Sequence, residues 1–396
     1  MKMQLFRNPV LFVATALFAF ACLEGGASDG AGPETDGDAE VQAEADAADA
    51  TEAGGSFPYQ AFYDELQQKI WDFPFESGKW HDDFGDAAFY GIAFYTRAGA
   101  ELKRADYEDR ASLARNRNID LLKQAQEDYL MFLDKLDEVL LAALGLIEDE
   151  NETGDGAART DVDAVLDMTN ELVKSLGVYL EVDMESYALQ TYGATTITGV
   201  VALANLRYAE LLKGPRVQER IEFGREVIRT IDEKAFNGTF YRFNTKTENL
   251  DLYPNVMMIL AAGTAFRLTG EQTYKDRCLA LFEAIQPLKD KKKCYHSPYS
   301  AAYMGAETDD YSTLSSQNYT ILAFAMLFEI TGDDKYKTEI LNIIGFIHDY
   351  LYVDGRLLHH WMDGCIAKPT DPEYFCSGCN LQFLYAVWYV KKHVFP

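Results

Sequence analysis

Residues 317–364 read QNYTILAFAMLFEITGDDKYKTEILNIIGFIHDYLYVDGRLLHHWMDG. Tyr319 to Ile330 is a near-continuous apolar run, and a helix that is apolar all round is buried on every side. The run that follows, Tyr336 to Tyr350, places Lys337, Glu339, Asn342 and Asp349 between its apolar positions, which describes a helix with one wet face. Between the two lies Thr331-Gly-Asp-Asp334. Gly332 suits the left-handed residue past a helix end, and Asp333 or Asp334 can cap the next helix. The stretch therefore predicts an inner helix, an outer helix and a closing loop that carries His359, His360, Trp361 and Asp363.

The same plan occurs 62 residues earlier, where Tyr253 to Leu268 is apolar, Thr269-Gly270 matches Thr331-Gly332, and Tyr274 matches Tyr336. That copy ends at Cys294-Tyr-His296, close to where His359 falls in the later one. Looser copies run over residues 196–241 and 84–107. Repeats of this length indicate stacked supersecondary units, each of which needs a neighbour to bury its face. Helical patterns fall near 59–71, 86–102, 107–147, 161–181, 189–212, 216–233, 251–268, 273–288, 313–330, 334–351 and 376–393, with 107–147 long enough for two helices. Strand signals are sparse, so the fold class is all-α.

Residues 1–21 carry Lys2, Arg7 and a short apolar core, the pattern of a secretory signal rather than a membrane span. Leu17-Phe-Ala-Phe-Ala-Cys22 resembles a bacterial lipobox, which implies cleavage before Cys22 and its lipidation, with ordinary secretion as the alternative. Such an anchor entails a native chain that partitions with membranes and a Cys22→Ser chain that is soluble or retained with its signal uncleaved. Residues 23–56 hold ten Asp or Glu and no Lys or Arg. That segment cannot bury enough apolar surface to offset its ordering entropy, so 22–56 reads as a lipidated cysteine and a disordered tether. Of the formal charge of −27, about −19 belongs to residues 57–396, once the ten tether acids and the two basic residues of the leader are set aside. A surface of that sign repels nucleic acid. The expected membrane contact is through the lipid alone.

Residues 57–396 resemble the six-hairpin, or (α/α)6-toroid, superfamily, which includes glycoside hydrolases, polysaccharide lyases and sugar epimerases. The resemblance rests on the hairpin period, on the turns Leu268-Thr-Gly-Glu-Gln-Thr-Tyr274 and Ile330-Thr-Gly-Asp-Asp-Lys-Tyr336, and on the loop Gly355-Arg-Leu-Leu-His-His-Trp361. An open helical-repeat solenoid would use similar turns and is the alternative architecture. The resemblance implies a cleft at one end of the barrel, lined by the loops that feed the inner helices.

Two of those loops are acidic: Lys79-Trp-His-Asp-Asp-Phe-Gly-Asp86 and Glu307-Thr-Asp-Asp-Tyr311. A carboxylate before a helix is commonly a cap. Two such clusters opening onto one cleft would also provide the carboxyl pair of glycoside hydrolysis, about 5 to 10 Å apart. The expected catalytic candidates are thus Asp82, Asp83, Asp309 and Asp310. Trp80, Tyr311 and Trp361 offer stacking faces for a sugar, and His81, His296, His359 and His360 offer hydrogen bonds or proton transfer.

Beyond Cys22 the cysteines are Cys278, Cys294, Cys365, Cys376 and Cys379. Cys365, Cys376 and Cys379 with His360 have the ligand types of a zinc site. In an exported protein, a disulfide among Cys294, Cys365, Cys376 and Cys379 is the stronger expectation, and Cys278, in mid-helix, reads as a buried free thiol. Residues 149–160 read as an acidic loop that departs from the calcium-binding EF-hand at Thr160. The function expected is an envelope-anchored carbohydrate-active enzyme, hydrolase or lyase, acting on an oligo- or polysaccharide. A non-catalytic glycan- or protein-binding lipoprotein and a zinc-dependent toroid enzyme are the alternatives.

Overall fold

The computed structural model describes residues 57–69, 75–76, 79–80, 105–180, 193–296, 312–361 and 376–396. In chain order the elements are α1 (Gln60–Lys69), β1 (Phe75–Glu76), β2 (Lys79–Trp80), α2 (Ala105–Glu127), α3 (Tyr129–Asp134), α4 (Leu136–Thr153) and α5 (Arg159–Ser175). Then come α6 (Gly193–Leu211), α7 (Pro215–Ala235), α8 (Leu252–Thr269), α9 (Gln272–Ile285), β3 (Ser312–Thr313), α10 (Leu314–Thr331) and α11 (Lys335–Phe346). A π-helical turn, Ile347–Leu351, extends α11, and β4 (Tyr352–Val353), β5 (Arg356–Leu357), β6 (His360–Trp361) and α12 (Ser377–His393) complete the chain. The leader and tether, and the helix expected near 86–102, lie outside the described residues.

The two helices that opened the sequence argument behave as their composition requires. Every residue of α8 from Leu252 to Ala265 and of α10 from Leu314 to Leu327 is buried. The helices α4, α6, α8, α10 and α12 pack side by side in that order, and α5, α7, α9 and α11 lie outside them, each against the inner helix before it. The first outer helix, α1, packs against α12 at the other end of the chain. There the Phe62 ring meets Phe383 at 5.8 Å and Tyr352 at 5.1 Å, and Phe57 meets Phe395 at 5.8 Å. The Tyr385 hydroxyl of α12 also donates to Glu148 of α4 at 3.2 Å. An open solenoid keeps its first and last units apart; here they touch, so the layers close into a toroid.

The matched turns are one motif. Gly270 and Gly332 both sit at φ 71°, and each donates its N–H to the carbonyl four residues back in the helix, on Phe266 and Phe328, at 2.7 Å. Thr269 and Thr331 return their hydroxyls to Ala265 and Leu327 and accept from the N–H of Glu271 and Asp333. Asp333, rather than Asp334, then accepts from the Lys335 N–H at the start of α11. A third copy stands at Thr153-Gly154, with Gly154 at φ 69° and the Thr153 hydroxyl on the Asp149 carbonyl. This corrects the reading of 149–160 as a loop. Its first five residues are the last turn of α4, and Asp149 is a helical residue paired with Arg115 at 2.7 Å.

The stretch 107–147 is likewise divided differently from its expected two helices. Asp128 accepts from the N–H groups of Leu130 and Met131 and so restarts the chain as α3, after which α4 begins at Leu136 as an inner helix. Among the described residues the strands are three antiparallel pairs of two residues each, in keeping with the sparse strand signal. No helix among them is long and apolar enough to cross a membrane.

Where the inner helices end, their axis is closed by charge. Arg207 of α6 binds both carboxylate oxygens of Glu148 at 2.6 Å and also binds Glu210. Arg267 of α8 reaches back to Glu210 at 3.0 Å and on to Glu329 of α10 at 2.7 Å. The Tyr389 hydroxyl of α12 donates to Glu329 at 2.5 Å. With Tyr385 on Glu148, all five described inner helices are joined in one network. Burial works against the charge of Arg207, and Glu148, by its charge and its hydrogen bonds, outweighs it, so the guanidinium is held more firmly protonated than usual. Against this network the axis holds a cavity of about 60 Å³, lined by Glu148, Arg207, Tyr385 and Tyr389 of the network and by Leu203, Leu260, Tyr319 and Met326 beyond it. Sugar-sized ligands occupy pockets of roughly 300 Å³ or more, so this cavity among the described residues is too small to hold one.

Candidate functional site

The opposite end, where the inner helices begin, is built by a device repeated three times. Asn255, one turn into α8, accepts from the N–H of Tyr241 at 2.8 Å and donates to the Tyr241 carbonyl at 3.0 Å. Gln317, one turn into α10, does the same to Tyr295, at 3.1 and 2.7 Å. Asn380, one turn into α12, does it to Leu357, at 2.9 Å in both directions. A side-chain amide has one acceptor and one donor side by side, so it pairs with a peptide group as another strand would. Each clamp holds the short reversal that follows an outer helix: Phe236 bridged to Tyr241, Lys289 to Tyr295, and β4 paired with β5. The reversals are thereby fixed at the starts of the inner helices.

This brings two of the sequence-predicted stretches together. His359 accepts through its carbonyl from the Leu314 N–H at 2.8 Å. Beside it, β3 and β6 pair with Ser312 opposite Trp361 and Thr313 opposite His360. His296 follows the clamped Tyr295, and the Gln317 amide that holds Tyr295 also donates to the Ser312 hydroxyl at 2.8 Å. His296, His359, His360 and Trp361 therefore all belong to backbone segments gathered around the N-terminus of α10. Thr313 caps that helix, accepting from Ser316 N–H at 3.0 Å, and shares a hydrogen bond of 2.7 Å with the Tyr253 hydroxyl from α8.

His296 is half-buried with Nε2 3.3 Å from an Asp290 carboxylate oxygen, and it stands next but one to the fully buried Cys294. For His360 and Trp361 the described part is the backbone, and the same holds for Trp80, whose strand β2 pairs with β1 and lies near α2. His81, Asp82, Asp83, Asp309, Asp310, Tyr311 and Cys365 lie outside the described residues. Ser312, the residue after Tyr311, is in place opposite Trp361.

Cys376 and Cys379 form a disulfide, and Cys278 and Cys294 are free and buried. Burial pushes the Cys278 thiol up to about 12. Of the expected zinc set, Cys376 and Cys379 are bridged to each other in this structure. The amides Asn255, Gln317 and Asn380 escaped sequence reasoning. The available signal was an Asn or Gln at the fourth residue of each of the three inner helices.

No protein-family profile matches this sequence, and no curated protein sequence does. Solved structures do match in shape. A D-mannose isomerase covers 85% of this chain and 99% of its own, at a TM-score of 0.59 and 14% identity. A GH76 α-mannanase of Bacteroides thetaiotaomicron covers 85% and 97%, at 0.58 and 13%. A cellobiose 2-epimerase from Bacillus thermoamylovorans covers 82% and 99%, at 0.56 and 15%. Likeness at that identity speaks to the fold, and with a ring of parallel inner helices closed between α1 and α12, the chain has the six-hairpin glycosidase-like fold, an (α/α) toroid.

Proposed function

We propose that this chain is a carbohydrate-active enzyme of the cell envelope whose site lies at the end of the toroid where the inner helices begin. The observation that supports it most is the convergence of 295–296, 312–313 and 359–361 at the start of α10, on a scaffold shared with sugar-acting proteins. That end gathers histidines and a tryptophan, the groups that bind a pyranose by hydrogen bonding and stacking. In the leading reading the substrate is an oligo- or polysaccharide, and Asp82 or Asp83 acts with Asp309 or Asp310 as the carboxyl pair of a glycoside hydrolase. A second reading, sugar epimerisation or isomerisation, is favoured by the histidine-bearing strand beside Thr313, since imidazole can move a proton near neutral pH.

Product analysis separates these. Incubated with mannose, cellobiose and α-mannan, the chain is expected to release new reducing ends from the two glycosides, and Asp83→Asn or Asp310→Asn to lower that rate by about 10²-fold or more. Epimer or ketose formation lost in His359→Gln or His360→Gln would select the second reading. Saturable sugar binding without any product would replace both by a glycan-binding protein, and absence of binding across a wider glycan panel would end the sugar proposal.

A further inference from the structure

Asp290, Cys294 and His296 stand on one tight reversal that follows α9. The backbone closes it: Asp290 N–H donates to the Cys294 carbonyl at 3.0 Å, Lys293 N–H to the Asp290 carbonyl at 3.1 Å, and His296 N–H to the Leu288 carbonyl at 2.8 Å. Lys293 sits at φ 69°, in the left-handed region a non-glycine residue enters only when its surroundings hold it there. Past that point Cys294 and His296, two apart on extended chain, project to the same side. One carboxylate oxygen, the thiol sulfur and one imidazole nitrogen all lie within 4.8 Å of one another.

The three are the ligand types that zinc prefers, and three protein ligands with a fourth position left to water is the pattern of an open zinc site. Tetrahedral ligands at about 2.0–2.3 Å from a metal stand roughly 3.3–3.8 Å from each other, so closing on an ion asks for side-chain shifts of about 1 Å. The three donors lie below the surface: Cys294 and the His296 Nε2 atom are sealed from solvent, while the Asp290 side chain remains 18% exposed. Of the neighbouring lysines, Lys289 holds Glu339 at 2.6–2.7 Å and Lys292 lies over the Tyr350 ring at 5.7 Å. Burial, with the Asp290 charge beside it, pushes the Cys294 thiol well up. A bound cation reverses that balance and takes the sulfur as thiolate.

We propose that Asp290, Cys294 and His296 bind one divalent cation of the zinc class, with an open coordination position next to the start of β3. The inference stands on these side chains alone and does not depend on the sugar reading. Cobalt(II) is the probe. Added to the metal-free full-length chain, it is expected to bind once per chain with a thiolate-to-cobalt charge-transfer band that zinc abolishes by displacement. Cys294→Ser is expected to remove the band, and Cys278→Ala to keep it. His296→Gln and Asp290→Asn, which change half-buried groups and leave the core intact, are expected to weaken binding by at least the roughly 10–100-fold that loss of even an outer partner costs. Absence of the band in the unaltered chain, its survival in Cys294→Ser, or unchanged affinity in both His296→Gln and Asp290→Asn would overturn the site.

Discussion

Arg207→Met is expected to lower the stability of the toroid by about 3–5 kcal/mol, the cost of leaving a buried charge without its partner. The guanidinium is 13% exposed, and it meets Glu148 with two hydrogen bonds and Glu210 with a third. Once it is gone, Glu210 still has Arg267, whereas Glu148 keeps among these partners only the Tyr385 hydroxyl. Most of the loss should therefore pass through Glu148. A double variant, Arg207→Met with Glu148→Leu, removes both charges and is expected to recover much of it, because a buried ion pair is worth little against apolar residues of similar size. Denaturant midpoints of the four chains give the coupling directly. A single-variant loss below about 1 kcal/mol would mean that the network is solvated and does not tie the helix ends together.

The second large effect belongs to Asn380→Ala. Asn380 is fully buried, and its amide accepts from the Leu357 N–H and donates to the carbonyls of Leu357 and Cys376, all at 2.9 Å. Alanine strands a buried peptide N–H and carbonyl, at about 1–3 kcal/mol for each group left unsatisfied, so a loss of about 3–5 kcal/mol is expected. Aspartate should not rescue it, since a carboxylate offers no hydrogen to the carbonyls. Because Leu357 leads directly to His359 and β6, the variant should also release the strand that pairs with β3, seen as faster amide exchange at Leu314. Asn255→Ala, at the equivalent clamp on Tyr241, should behave alike. Unchanged stability in both would show that the reversals are held by something other than these amides.

Much of this architecture can be read from residues. The two fully apolar helices and their Thr-Gly ends state the repeat, because a buried helix must be apolar all round and its left-handed end favours glycine. The third Thr-Gly, at 153–154, escaped because Asp149, Glu150 and Glu152 crowd the preceding turn and suggest a loop, whereas Arg115 and Arg159 neutralise Asp149 and Glu150 from neighbouring helices. The clamps were illegible for a different reason. Asn255, Gln317 and Asn380 pair with peptide groups, and a peptide group has no letter in the sequence. Arg207 and Glu329, at the ends of apolar helices, look like ordinary solvated termini, and only the ring geometry turns them inward. At the site, hairpin logic correctly brought His359 to the same end as His296, since each pair of antiparallel helices returns the chain there. The pairing Asp290–His296 needed the left-handed turn at Lys293, which no residue type announces.

The central claim, a sugar site at the end where the inner helices begin, is tested most directly by amide hydrogen exchange with and without a sugar that the chain turns over or binds. Protection is expected in 242–250, 289–296, 312–317, 352–361 and 376–382, the reversals, loops and first turns held by Asn255, Gln317 and Asn380. Protection centred instead on 207–214, 267–272 and 329–335, around the Arg207–Glu210–Arg267–Glu329 network, would place the ligand at the other end and contradict the account.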